Sequence, residues 1–334
     1  MRISVIGCGY WGPNLIRNFH SLGVLHTICD KDSKRLSQVS RIYPEIHATT
    51  DIHQAIDSSD AVVIATSAES HYELAKQSLL AGKDVFVEKP LTLRVSEGEE
   101  LLELSIKNSR ILMVGHLLLY HPAIRKIRDY IEDGILGDVY YTYSQRLNLG
   151  KIKQDENALW SFGPHDISVI LYLIDKMPKQ VTAVGASYLQ TEIPDVVFVT
   201  LHFGNNIISN IHLSWLDPHK VRTITIVGSK QMVVFDDMES NEKVRLYDKG
   251  VDYKPDFKSY AEALAIRIGD IVIPNIGIQE PLKLECNHFI ECVKNRTTPI
   301  SDGANGVAVV RILEAAQLSL TQGGIPIEIP NKKL

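Results

Sequence analysis

The chain opens Met1-Arg2-Ile3-Ser4-Val5-Ile6-Gly7-Cys8-Gly9-Tyr10-Trp11-Gly12, and this stretch decides the architecture of its first third. Residues 3–6, Ile-Ser-Val-Ile, form a near-continuous apolar run that reads as a buried strand. Glycines at 7, 9 and 12 follow at once, and a helical pattern runs from Pro13 to Leu22. A GxGxxG spacing carries little weight alone; between a strand and a helix it acquires a mechanism. Gly7 suits the tight turn, Gly9 admits an anionic ligand to the backbone, and Gly12 lets helix pack closely on strand.

The same alternation continues outward. Further strands are expected at 25–29, 61–65, 84–87 and 111–114, with amphipathic helices at 33–42, 71–80 and 95–107. Short connectors and near-continuous apolar strands predict a doubly wound parallel sheet covered on both faces, an α/β domain over residues 1–120. After Tyr120 the texture changes. One helix is expected at 123–132. Then come Val-, Ile-, Thr- and Tyr-rich runs at 139–146, 180–188, 195–203, 207–214, 221–227 and 231–235. Most succeed one another directly, which predicts an open, mainly antiparallel α+β sheet domain over 121–334. A helix at 165–174 is expected between the first two runs. Helices at 281–294 and 306–320 close the chain and are free to pack back on the first domain.

Bulk properties limit the function classes. The 334 residues carry a formal net charge of −5, with 45% apolar and 22% charged residues. That balance argues against a dedicated nucleic-acid binder. No apolar run reaches membrane-spanning length, and residues 3–6 are too few for a signal peptide's core. The four cysteines (Cys8, Cys29, Cys286, Cys292) lack metal-ligand spacing. The expectation is a cytoplasmic protein with reduced thiols and no metal.

The glycine turn with its helix N-terminus is a pyrophosphate site. Asp30 ends the second strand, twenty-one residues after Gly9. A carboxylate there accepts from an adenosine ribose and repels a 2′-phosphate, which favours NAD over NADP. Lys31, Lys34 and Arg35 lie near enough to offset part of that repulsion. Glu88-Lys89-Pro90 then places a lysine at the carboxyl end of a sheet strand, where ligands of such sheets bind. A lysine there can hold a substrate hydroxyl and stabilise a developing oxyanion.

Together with Ala65-Thr66 followed by His71, residues 81–85, Val114-Gly115-His116 with Pro122, and Gly163-Pro164-His165-Asp166, these motifs make the chain resemble the Gfo/Idh/MocA oxidoreductases over nearly its whole length. The resemblance implies a Rossmann domain followed by an open sheet domain, and homo-oligomers, dimers or tetramers, built partly through the exposed sheet face. It implies Lys89 and His165 as catalytic residues, His165 being the general base. Candidate cofactor contacts are Gly7, Gly9, Tyr10, Trp11, Gly12, Asp30, Thr66, His71, Glu88 and Lys89. One departure matters: inositol dehydrogenases carry an aspartate four residues before that histidine, and this chain has Ser161.

Residues 145–151, 155–160, 269–274 and 280–282 are similar to UDP-N-acetylglucosamine 3-dehydrogenases, whose keto product is aminated by an aminotransferase in lipid A and polysaccharide biosynthesis. That resemblance makes a nucleotide sugar the expected substrate. Arg146, Lys151 and Lys153 would meet its diphosphate. Asn148 and Asn157 would meet hydroxyl and acetamido groups, and Trp160 would pack on a ring. His116, Tyr120 and Asp166 complete the candidate substrate contacts. Residues 147–162 read as a long functional loop. Two alternatives stay open: an NADP-dependent keto-sugar reductase or polyol dehydrogenase on the same fold, and a non-catalytic dinucleotide-sensing regulator.

Overall fold

The computed structural model describes residues 1–150, 152–154, 156–253 and 264–330. The chain divides into two compact units. One comprises Met1–Tyr120 with Gln279–Arg311, the other His121–Ile278 with residues 312–330.

The first unit is a six-stranded parallel sheet. Its strands are β1 (Ile3–Ile6), β2 (Leu25–Cys29), β3 (His47–Thr49), β4 (Ala61–Ile64), β5 (Asp84–Glu88) and β6 (Leu112–Gly115), in spatial order β3-β2-β1-β4-β5-β6. That order has its switch point between β1 and β4, the place where doubly wound sheets bind dinucleotides. β1 and β4 are buried at every position, as a sheet covered on both faces requires. The intervening helices are α1 (Gly12–Ser21), α2 (Ser33–Ser40), α3 (Ile52–Asp57), α4 (His71–Leu80) and α5 (Val95–Lys107). The pair β3–α3 has no counterpart in the sequence reading. β3 is a three-residue edge strand. α3 is a six-residue helix whose start is fixed by Asp51, which accepts from the His53 and Gln54 amides at 2.9 and 3.3 Å. Both are too short for a periodic signal.

Residues 279–311 join this unit for a packing reason. On the helix Pro281–Asn295 the Phe289 ring meets Phe19 of α1 and Phe86 of β5 edge-on, at centroid distances of 6.4 and 5.7 Å. Arg17 of α1 and Glu280 pair at the start of the same helix.

The second unit begins with α6 (Pro122–Glu132) and centres on a nine-stranded, mainly antiparallel sheet. In chain order its strands are β7 (Val139–Leu149), β8 (Gln180–Ala186), β9 (Val196–His202), β10 (Ile208–Ser214), β11 (Leu216–Gly228), β12 (Met232–Asp236), β13 (Val244–Tyr253), β14 (Leu264–Val272) and β15 (Ile327–Glu328). β7 and β10 are the parallel exception. α7 (Ala158–Ile174) covers one face and is buried along most of its length. The other face exposes Tyr141 and Tyr143, stacked at 6.4 Å, and Phe198, stacked on His212 at 4.3 Å.

Two expectations are corrected here. Residues 147–162 are not one loop: β7 continues to Leu149, which pairs with Leu216, and α7 starts at Ala158 rather than 165. The helix starts early because Asn157 caps it, its Oδ1 accepting from the Trp160 amide at 3.2 Å. The run 180–188 ends as a strand at Ala186, because the Tyr188 and Leu189 amides donate to the buried Asp195 carboxylate instead. The helices Pro281–Asn295 and Gly303–Thr321 are α8 and α9. No helix among the described residues is long and apolar enough to cross a membrane.

Candidate active site

The turn after β1 is built as the glycines require. Gly7 has φ +109°, and a Cβ there would lie 2.6 Å from the Ala65 carbonyl oxygen. A Cβ on Gly12 would lie 1.8 Å from the Gly7 carbonyl oxygen, so α1 meets β1 as closely as glycine permits. At Gly9 the nearest atom to an added Cβ is the tip of Arg35, 3.8 Å away. The turn therefore leaves an open cradle over Gly9, backed by the N-terminus of α1, which suits the pyrophosphate of a dinucleotide.

Asp30 braces the cradle from β2. Its Oδ2 accepts from the Cys8 amide at 2.6 Å and its Oδ1 from the Asp32 amide at 2.8 Å. Each oxygen keeps a second lone pair, so the carboxylate can also accept from a ribose. Burial, with help from Asp30, pushes the Cys8 thiol up to about 12, which keeps it protonated. Tyr10 is 93% exposed beside the turn.

Glu88 links the turn to the lysine. Its Oε1 accepts from Trp11 Nε1 at 2.7 Å, and its Oε2 from the Lys89 amide at 3.2 Å. Burial raises the Glu88 carboxyl to about 7 against the lowering effect of Lys89 and the Trp11 hydrogen bond. The Lys89–Pro90 bond is cis. His71 is buried between backbone carbonyls, with Nδ1 2.7 Å from Pro90 O and Nε2 3.2 Å from Thr66 O. It ties the loop after β4 to the loop after β5, and burial lowers its proton affinity. Thr66 accepts from the Ser70 hydroxyl at 2.8 Å. His71 and Thr66 thus hold the rims of the cradle in place.

His116, next after β6, is 1% exposed and lies against Asn305. Tyr120 is fully buried, and its hydroxyl lies 2.8 Å from that of Ser301, which in turn donates to Val114 O. Its ring is a packing element of the first unit, with no surface to offer a substrate.

In the second unit Arg146 and Asp166 face each other. Arg146 Nε donates to Asp166 Oδ2 at 2.5 Å, with the two residues 9% and 1% exposed. The guanidinium thus has a carboxylate partner inside the sheet–helix interface, where the sequence reading expected a diphosphate. Asn148, two residues on along β7, has a buried Oδ1 with no partner among the described residues. Asn157 uses both ends of its amide: the cap on α7, and an Nδ2 hydrogen bond to Gln317 at 2.8 Å. Trp160 Nε1 donates to the same Gln317 oxygen at 3.2 Å. Lys153 pairs with Glu156. His165 is half-buried on α7 directly after Pro164, and its carbonyl accepts from Ser168. Lys151 lies outside the described residues.

Three participants escaped the sequence reading. Gln317 and Asn305 lie on α9, more than 150 residues from their partners in sequence. Glu285 sits fully buried on α8, and neither carboxyl oxygen has a partner among the described residues. A charged residue at an apolar position of that helix's pattern was the available signal. Among the described residues no cluster of His, Cys, Asp and Glu could hold a metal.

Comparison with known proteins agrees with this architecture. Residues 1–116 match the Gfo/Idh/MocA oxidoreductase family model described as an NAD-binding Rossmann fold, and residues 124–234 match the C-terminal domain model of the same family. The UDP-N-acetylglucosamine 3-dehydrogenase of Acidithiobacillus ferrooxidans is 24% identical over 322 residues, 95% of each chain. Its solved structure superposes with a TM-score of 0.82, at 22% identity over 96% of this chain and 98% of that one. The myo-inositol 2-dehydrogenase of Thermotoga maritima is 25% identical over 96% of this chain and 97% of its own. The WlbA dehydrogenase of Bordetella pertussis, solved with NADH and UDP-GlcNAcA, has a TM-score of 0.79 at 19% identity over 99% of both chains. With a glycine cradle at the β1–β4 switch point, a lysine at the end of β5 and both family domains matched in order, the chain belongs to the Gfo/Idh/MocA oxidoreductases and carries their NAD-binding Rossmann domain.

Proposed function

We propose that the protein oxidises the C3 hydroxyl of a nucleotide sugar, UDP-N-acetylglucosamine in our best reading, to the 3-keto sugar with NAD. The observation that carries this reading is Lys89 at the carboxyl end of β5, tied through Glu88 and Trp11 to the open glycine cradle. The relative from Acidithiobacillus ferrooxidans, named for this reaction and matched along 95% of its length, supports the choice of sugar.

Bound NAD would supply the hydride acceptor. The amides around Gly9 and the N-terminus of α1 hold its diphosphate, and Asp30 takes the adenosine ribose. Lys89 donates to the alcohol oxygen and stabilises the negative charge that grows on it. His165 accepts the hydroxyl proton as the carbon gives up its hydride and the C–O bond becomes a carbonyl. Ser161 on α7, where inositol dehydrogenases carry aspartate, favours a sugar over inositol. A 3-keto nucleotide sugar is ready for amination, so an aminotransferase is the expected consumer. The exposed aromatic face around Tyr141, Tyr143 and Phe198 is the expected oligomer contact.

The test is Lys89→Ala. It should lower kcat by about 10²–10³-fold while NAD binds as before. Near-normal kcat in that variant would remove Lys89 from the chemistry.

A further inference from the structure

β5 and β6 pair in parallel with Glu88 opposite Gly115. Lys89 and His116 are therefore the next residues along two adjacent strands, side by side at the carboxyl edge of the sheet. The His116 Nδ1 lies 2.6 Å from Asn305 Oδ1. An amide oxygen only accepts, so Nδ1 carries the hydrogen. Burial, with Lys89 adding to it, brings the imidazole down to about 4. The ring is thus neutral at pH 7, and its Nε2 is a bare lone pair.

That lone pair is buried and has no partner among the described residues. An unmet acceptor in the interior costs about 1–3 kcal/mol. With His116 only 1% exposed, a substrate atom cannot reach it, whereas a flexible donor already inside the protein can. The adjacent donor is the Lys89 ammonium, with three hydrogens on a four-carbon stem.

We infer that His116 Nε2 seats the Lys89 ammonium in the working enzyme, and that Asn305 is a positioning residue that fixes the imidazole in the tautomer able to do so. A neutral acceptor suits this task. A second carboxylate beside the ammonium would cancel its charge, while an imidazole lone pair aims one hydrogen and leaves the others, with the full charge, for the substrate oxygen. The inference rests on the role proposed for Lys89, but its test does not depend on turnover.

Nitrogen-15 NMR of the His116 ring in the NAD complex reads the tautomer directly. Nδ1 should be protonated, and Lys89→Met should move the Nε2 resonance toward that of an unbonded ring nitrogen. Asn305→Leu should mix the tautomers and lower kcat by up to about 10²-fold with unchanged NAD affinity, the scale expected for misplacing a catalytic group. His116→Gln, which keeps an acceptor, should retain more activity than His116→Leu. A protonated Nε2, or an Nε2 resonance indifferent to Lys89→Met, overturns the inference. Full turnover in Lys89→Met with the NMR change intact would instead fault the proposed function and leave the hydrogen bond standing.

Discussion

Replacing Arg146 with leucine separates two roles for this residue. Arg146 Nε donates to Asp166 Oδ2, and the carboxylate is 1% exposed with its Oδ1 lacking a partner among the described residues. Arg146→Leu keeps much of the apolar stem and removes the cation that pairs with that carboxylate. Breaking a buried pair from one side costs about 3–5 kcal/mol, because the remaining charge is stranded. At about 2–4 °C per kcal/mol for a unit of this size, Tm should fall by about 6–20 °C. Removing both charges in Arg146→Leu/Asp166→Leu leaves nothing stranded and should recover most of the loss. Urea unfolding of the two single variants and the double variant, without cofactor or substrate, gives the coupling energy. An Arg146→Leu protein within about 0.5 kcal/mol of wild type, as for an ordinary surface substitution, would refute the reasoning. If that variant also showed a raised KM for a nucleotide sugar, Arg146 would return to the diphosphate role expected from sequence.

Two other substitutions follow from the first unit. Gly12→Ala would force a Cβ to within 1.8 Å of the Gly7 carbonyl oxygen. At an overpacking cost of about 1–3 kcal/mol concentrated in the turn, the NAD Kd should rise by about 5- to 150-fold; an unchanged Kd in a fluorescence titration would show that the turn does not form the cradle. Glu285 is held well above the ordinary glutamate value by burial and then by the Glu88 charge, so the folded state binds its proton more tightly than the unfolded chain. Its contribution to stability is complete below the unfolded value of about 4.5 and fades as pH rises through the folded one. Glu285→Gln, which cannot ionise, should therefore gain on wild type between pH 5 and pH 8 in urea midpoint. A difference that stays constant with pH would contradict the assignment.

Local signals carried most of the first unit. The glycine spacing, Asp30 and the Glu88-Lys89-Pro90 turn are contiguous, and each sits on an element whose apolar pattern announces it. What escaped was short or distant, apart from the ten-residue β13 and the nine-residue β14, which the strand reading ended before. The β3–α3 pair spans too few residues for periodicity to register. Gln317, Asn305 and Glu285 act on partners more than 150 residues away in sequence, and only the folded chain brings them together. Residues 147–162 read as a loop because they carry few strand signals, yet strand pairing at Leu149 and the Asn157 cap make half of that stretch regular. Arg146 shows a pairing that sequence alone hides: a cation there invites a phosphate, and in the structure its Nε donates to a buried carboxylate.

The central claim is that hydride leaves C3 of a nucleotide sugar for NAD. It is tested most directly by mixing enzyme, NAD and UDP-N-acetylglucosamine and following absorbance at 340 nm, with an aminotransferase to draw off the ketone. The account predicts NADH formation that slows when C3 carries deuterium. NAD binding with no absorbance change under any UDP-sugar, or a rate indifferent to deuterium at C3 in a single turnover, would contradict it.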